Sequence, residues 1–189
     1  MLNLAQAQTI LHKQVQEPHL LNHALAVSAA MGALAAYFGE DAEYWRAIGY
    51  LHDVDYEKYP EEHLQHAGRL LQQEGLEQAD IRAVLSHGWG VLNDVEPLTN
   101  LEKSLYTIDE LTGIVAATAL MRPLGLADLG VKSVMKKFKD KSFAARCNRE
   151  IILAGCGLLG LELTQVIELV IEGMRGEMDN LGLGGRGAQ

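Results

Sequence analysis

Apolar residues recur every three or four positions along nearly the whole of this chain, and no alternating run bounded by turn signals makes a convincing strand. That period lines apolar side chains along one stripe of a helix, so the chain is expected to be all-α. Only four prolines interrupt the 189 residues, which leaves room for long helices. Stop and start signals place helices at about Pro18 to Gly39, Asp41 to His52, Glu61 to Gly75, Glu77 to Gly88, Leu101 to Met121, Ser142 to Leu159 and Leu163 to Met178. The expectation is a single-domain bundle of about seven or eight helices over residues 1–180, because a chain of this length fills one core and shows no repeat or long linker. Residues 181–189, LGLGGRGAQ, offer little to pack and are expected to be a flexible tail.

The formal charge of −9 argues against a nucleic acid polymer as partner, since backbone binding needs clustered Lys and Arg. The amino terminus breaks its apolar residues with Gln, His and Lys, and the apolar stretch from Gly113 to Met121 is far shorter than the roughly 20 residues that span a bilayer. A cytoplasmic protein without membrane contact is expected. Cys147 and Cys156 fit no CxxC pattern and read as reduced, structural thiols. The apolar face Val166, Ile167, Val170, Ile171 and Met174 suits either a homodimer contact or packing onto the chain's own bundle.

The histidines carry the functional signal. All seven lie within the first 87 residues, at 12, 19, 23, 52, 63, 66 and 87. His23 sits on the apolar side of its helix, His52 and Asp53 end the next one, and Asp109 interrupts the apolar face of Leu105, Ile108 and Thr112. One His on an apolar face is more often a satisfied core residue than a ligand. Four ligand-type groups at inward positions of three separated helices need a joint explanation, because a buried carboxylate costs several kcal/mol unless it is paired or ligates a metal. A cation meeting imidazoles and carboxylates from several helices satisfies them together.

The order His23, then Leu51-His52-Asp53, then His87, then Asp109 within YTIDELTGIVAA resembles the HD-domain superfamily of metal-dependent phosphohydrolases, over about residues 18 to 121. The remainder, including KSVMKKFKDKSFAARCNRE, is similar to the carboxy-terminal part of a bacterial group of uncharacterised HD-domain hydrolases. The resemblance implies that His23, His52, Asp53 and Asp109 bind a first metal. It implies that Asp53 bridges to a second, held also by His87 and by His63, with His66 one turn further on as the alternative. One or two divalent ions are expected, with Mn, Fe, Co, Ni, Zn and Mg all suited to such ligands.

Where many two-metal relatives continue HD with Ile-Gly-Lys, this chain has Val54-Asp55-Tyr56, and Tyr56 stands in place of the glutamate that assists the attacking water in some nucleotidases. Asp55 and Glu57 are the nearest replacements. Asp55 is the expected proton acceptor, or else orients His52 from behind. Lys132 to Arg149 holds seven cations against Asp140 alone, and Lys136, Lys137 and the nearby Arg122 are expected to grip substrate phosphate. The implied activity is hydrolysis of a phosphomonoester, nucleotide or phosphodiester. Two alternatives stand beside it: a di-iron oxygenase of the same fold, and a metal-stabilised binding module without turnover.

Overall fold

A computed structural model describes residues 2–185, which form nine α-helices with no strand among the described residues. Helix α1 (Leu4–Leu11) opens on a capping box between Asn3 and Gln6. It was not among the helices expected from the sequence. Helix α2 (Pro18–Phe38) starts with Pro18 in its first turn and stops at Gly39, whose φ of 70° ends the helix in the left-handed region. Helix α3 (Ala42–Leu51) is capped by Asp41, whose carboxylate accepts from the N–H groups of Glu43 and Tyr44. It ends so that His52 and Asp53 project from its last turn.

The stretch after Pro60 departs from expectation. It makes one 3-10 turn (Pro60–Glu62), and α4 (Ala67–Gln73) begins only at Ala67, because Leu64 takes a φ of 68° that no helix tolerates. Helix α5 (Gln78–Leu85) runs into a 3-10 turn (Ser86–Gly88) that carries His87. Helix α6 (Asn100–Leu120) begins with a capping box of Thr99 and Glu102.

The cationic segment holds its own helix, α7 (Val131–Lys139). Helix α8 (Arg149–Leu159) starts at the Asn148 cap rather than at Ser142, and α9 (Leu163–Gly176) follows the left-handed Gly160. Residues 181–185 also differ from the expected tail. Leu181 and Leu183 are buried, and Leu183 C=O accepts from Leu126 N–H at 2.8 Å. The rest of that expectation, residues 186–189, falls outside the described residues.

Helix α2 is the axis of the bundle, with α3, α6 and α9 packed along it. Unlike the Gly113 to Met121 stretch, it is long and apolar enough by composition to cross a membrane. Here its apolar side chains, Val27, Ala30, Met31 and Leu34, are covered by neighbouring helices. Small residues permit the close approach: a Cβ on Gly173 would stand 2.4 Å from Ala29 O, and one on Gly49 would stand 2.8 Å from the Met31 side chain. The apolar face of α9 is fully used inside the bundle, since Val166, Ile167, Val170, Ile171 and Met174 are all buried. Of the two readings of this face, a homodimer contact or packing onto the chain's own bundle, the structure uses it for the second.

Candidate metal centre

Packing α3 and α6 on α2 brings His23, His52, Asp53 and Asp109 to one point. His23 Nε2 lies 2.9 Å from Asp109 Oδ1 and 3.1 Å from His52 Nε2. His52 Nε2 is 3.3 Å from both Asp109 Oδ1 and Asp53 Oδ2, and His23 Nε2 is 3.7 Å from Asp53 Oδ2. The other carboxylate oxygen of Asp53 faces a second pair: His63 Nε2 at 3.2 Å and His87 Nε2 at 3.7 Å, themselves 3.3 Å apart. Donors bound at about 2.0–2.2 Å to one ion stand roughly 3–3.5 Å apart, so these spacings fit a cation in each set.

The hydrogen bonds behind the rings make the case for a cation stronger than distance alone. His52 Nδ1 donates to Gly49 O at 2.8 Å, His87 Nδ1 to Val84 O at 2.7 Å, and His63 Nδ1 to the Asp55 carboxylate at 2.8 Å. A carbonyl or carboxylate can only accept, so each Nδ1 carries the hydrogen and each neutral ring turns its Nε2 lone pair inward. Lone pairs of His63 and His87 facing each other at 3.3 Å cannot bond; they need a proton or a metal ion between them. The residues present fit a divalent ion with N and O ligands.

Without a cation, protons must do this work. Burial opposes charge on His63, but hydrogen bonds to Asp53 and Asp55 outweigh it and raise the imidazole to about 9. His52 is likewise raised, the charges of Asp53 and Asp109 overcoming burial, while those carboxyls are held far below their usual range by the histidines. Burial and the neighbouring His52 push His87 down to about 4.

Because the folded-state value of His63 is raised, its protonation stabilises the metal-free fold fully below pH 6.5, and that stability is lost as pH rises through about 9. Metal must displace those protons. Uptake of Mn²⁺ at pH 7.5 is expected to release about one to two protons, read as a dependence of calorimetric heat on buffer ionisation enthalpy, and affinity should weaken as pH falls. Binding heat independent of buffer would mean that the rings were already neutral.

Burial is graded across the site. The His52 side chain is fully buried, whereas His23 is 30% and Asp109 22% exposed, so the open side lies where α2 meets α6. His66 stays out of the cluster: it bonds Glu62 and stacks on Tyr59 at 3.9 Å, which leaves His63 as the residue brought to Asp53. The exposed Tyr56 ring packs perpendicular to His63, with ring centroids 5.1 Å apart.

Asp55, expected to accept a proton, is instead buried behind His63. Its other oxygen takes the N–H groups of His66 and Ala67 at 3.2 and 2.9 Å, so it positions His63 and the start of α4 and has no face toward the open side. Glu57 is spent on the N–H groups of Gln16 and Glu17 at the start of α2.

Arg122 is a second correction. It pairs with Asp128 at 2.6 Å and lies beyond the end of α6, whose eleven residues after Asp109 alone span about 16 Å at 1.5 Å rise per residue. On α7, Lys137 caps the Phe143 ring at 4.5 Å and Lys136 is exposed; among the described contacts neither touches the cluster. Sequence reasoning passed over Glu110, which directly follows Asp109 at the rim and accepts from Asn148 N–H at 3.0 Å. It also missed the Gly49 and Val84 carbonyls that fix the ring tautomers, for which a sequence carries no signal. A cavity of about 820 Å³ beside α1, lined by Lys13, Tyr44 and Glu74 among others, takes in no residue of the cluster.

Comparison with known families finds that the HD domain matches residues 20–114, half of the chain and the part that supplies all six clustered residues. Comparison with curated proteins and with solved structures finds no match.

Proposed function

Because the chain belongs to the HD-domain superfamily, whose members are generally metal-dependent phosphohydrolases, we propose that it hydrolyses a small phosphorylated molecule: a phosphomonoester, nucleotide or phosphodiester. The observation that carries this reading is the division of Asp53, with one oxygen facing His23 and His52 and the other facing His63 and His87. Bound divalent ions supply a lowered pKa for coordinated water and positive charge for phosphoryl oxygens.

The chain's own residues supply the rest. His52 and His87 are held rigidly by backbone carbonyls, so their lone pairs need no reorganisation on loading. Asp55 fixes His63 in the same sense. The partial exposure of His23 and Asp109 leaves a side for substrate to enter, which a purely structural metal site would lack. The net charge of −9 favours small anions drawn to local cations over a nucleic acid polymer, and two free thiols accord with a cytoplasmic setting.

The test is an anaerobic phosphate-release screen over nucleotides and sugar phosphates with Mn²⁺, Co²⁺, Ni²⁺, Zn²⁺ or Mg²⁺ added to metal-free protein. Metal-dependent release of phosphate without dioxygen is the expected result. Turnover that consumes oxygen and needs iron would replace this reading with the oxygenase, and tight metal without any turnover would replace it with the binding module.

Lys136 and Lys137 enter the reading as a cationic edge for the substrate's outer charges. Lys136→Ala with Lys137→Ala should leave metal content unchanged and raise KM severalfold, on the order of a rim charge contact; an unchanged KM would take α7 out of the substrate's path.

A further inference from the structure

The loop between α7 and α8, residues 140–148, is tightly built although it contains no helix. Arg149 stands behind it and donates to the carbonyls of Phe138, Asp140, Phe143, Ala144 and Cys147. A guanidinium has five N–H groups, and these contacts turn its charge inward, away from solvent. Around this knot Ala144 holds a φ of 46°, a left-handed conformation that costs a non-glycine residue on the order of 1 kcal/mol or more.

The loop is fixed to α6 beside the metal cluster. Asn148 N–H donates to Glu110, the neighbour of Asp109, and Cys147 Sγ lies 3.0 Å from where a Cβ on Gly113 would stand. Gly113 is one turn on from Asp109 and shares its face of the helix. The absence of a side chain there lets the loop close down on α6 one turn from Asp109. Arg146, adjacent to Cys147, belongs to the loop anchored in this way. Arg146 and Lys141 are both exposed and make no ion pair among the described residues, while the nearby Asp140 carboxylate is taken by Ser142.

We propose that loop 140–148 is an anion clamp in which Arg146, with Lys141, receives the non-bridging oxygens of a dianionic terminal phosphate and so selects phosphomonoesters over phosphodiesters. The proposal rests on the phosphohydrolase reading and narrows its substrate class. A fixed backbone with a free guanidinium suits bidentate phosphate contact. A diester carries one charge fewer and presents an alkyl or aryl group where the clamp offers donors.

The test compares wild type, Arg146→Ala, Arg146→Lys and Lys141→Ala/Arg146→Ala as manganese-loaded proteins. Calorimetry with inorganic phosphate should show Kd raised about tenfold or more in the Ala variants, the scale of a lost charged hydrogen bond, with partial recovery in Arg146→Lys. With p-nitrophenyl phosphate KM should rise similarly, while bis(p-nitrophenyl) phosphate changes within about twofold and manganese content and melting temperature hold. Unchanged phosphate affinity, absent phosphate binding to wild type, or equal losses on both esters would overturn the clamp. Phosphate binding that depends on Arg146 in a protein that turns over neither ester would instead keep the clamp and remove the hydrolase.

Discussion

Asp53→Ala is expected to empty both halves of the site at once. Each carboxylate oxygen faces a different histidine set, whereas each imidazole of the cluster turns a single Nε2 inward. Metal content should fall from up to two ions per chain to below one, and phosphate release should drop by at least about 10³-fold, beyond the roughly 10²–10³ for one lost electrostatic donor. The Asp109→Ala variant sets the comparison, because that side chain contacts only His23 and His52 in the cluster. Loss should then concentrate on one ion, with the His63 and His87 set still loaded. Elemental analysis of the two purified variants reads the difference directly, and equal metal content in Asp53→Ala and wild type would remove the bridging role.

The second large effect belongs to Asp55, through two variants that separate fold from function. Asp55→Ala leaves the His66 and Ala67 N–H groups and the His63 ring without their buried acceptor, a loss on the order of 2–4 kcal/mol. It should appear as a markedly lowered Tm. Asp55→Asn keeps the shape and one acceptor oxygen, but an amide N–H₂ facing His63 Nδ1 favours the opposite tautomer, with hydrogen on Nε2 where the ion needs a lone pair. Its Tm should stay close to wild type while affinity for the second ion falls about 10- to 100-fold, as for other groups that orient a metal-binding histidine. A normal second-ion affinity in Asp55→Asn would mean that the carboxylate serves the backbone alone.

These roles mark where the sequence was readable. His23, His52, Asp53 and Asp109 stand out because each puts a polar group where helical period demands an apolar one, and a tertiary site built on rigid helices preserves that conflict in one dimension; His63 and His87, which sit in turns, were marked only by the resemblance to the HD family. The start of α4 was illegible for the opposite reason. Leu64 adopts its left-handed backbone because the surrounding turn requires it, and nothing in Glu-Glu-His-Leu announces that. The choice between His63 and His66 depended on that same turn, which sends one ring to Asp53 and the other onto Tyr59.

Charge misled more than hydrophobicity did. Arg122 and Arg149 look alike in a list of cations, yet one is paired with Asp128 and the other is consumed by five carbonyls. Long side chains choose partners across the fold, and residue type alone does not record the choice. Asp55 shows the same limit: an acid next to an HD pair reads as a proton acceptor until its hydrogen bonds are seen.

The central claim is that two donor sets sharing Asp53 hold divalent cations, and anomalous diffraction from crystals soaked in Mn²⁺ tests it most directly. Two peaks about 3.5–4 Å apart are predicted, one against His23, His52 and Asp109 and the other against His63 and His87, with Asp53 between them. Manganese located elsewhere, or no peak within reach of Asp53, would contradict the account.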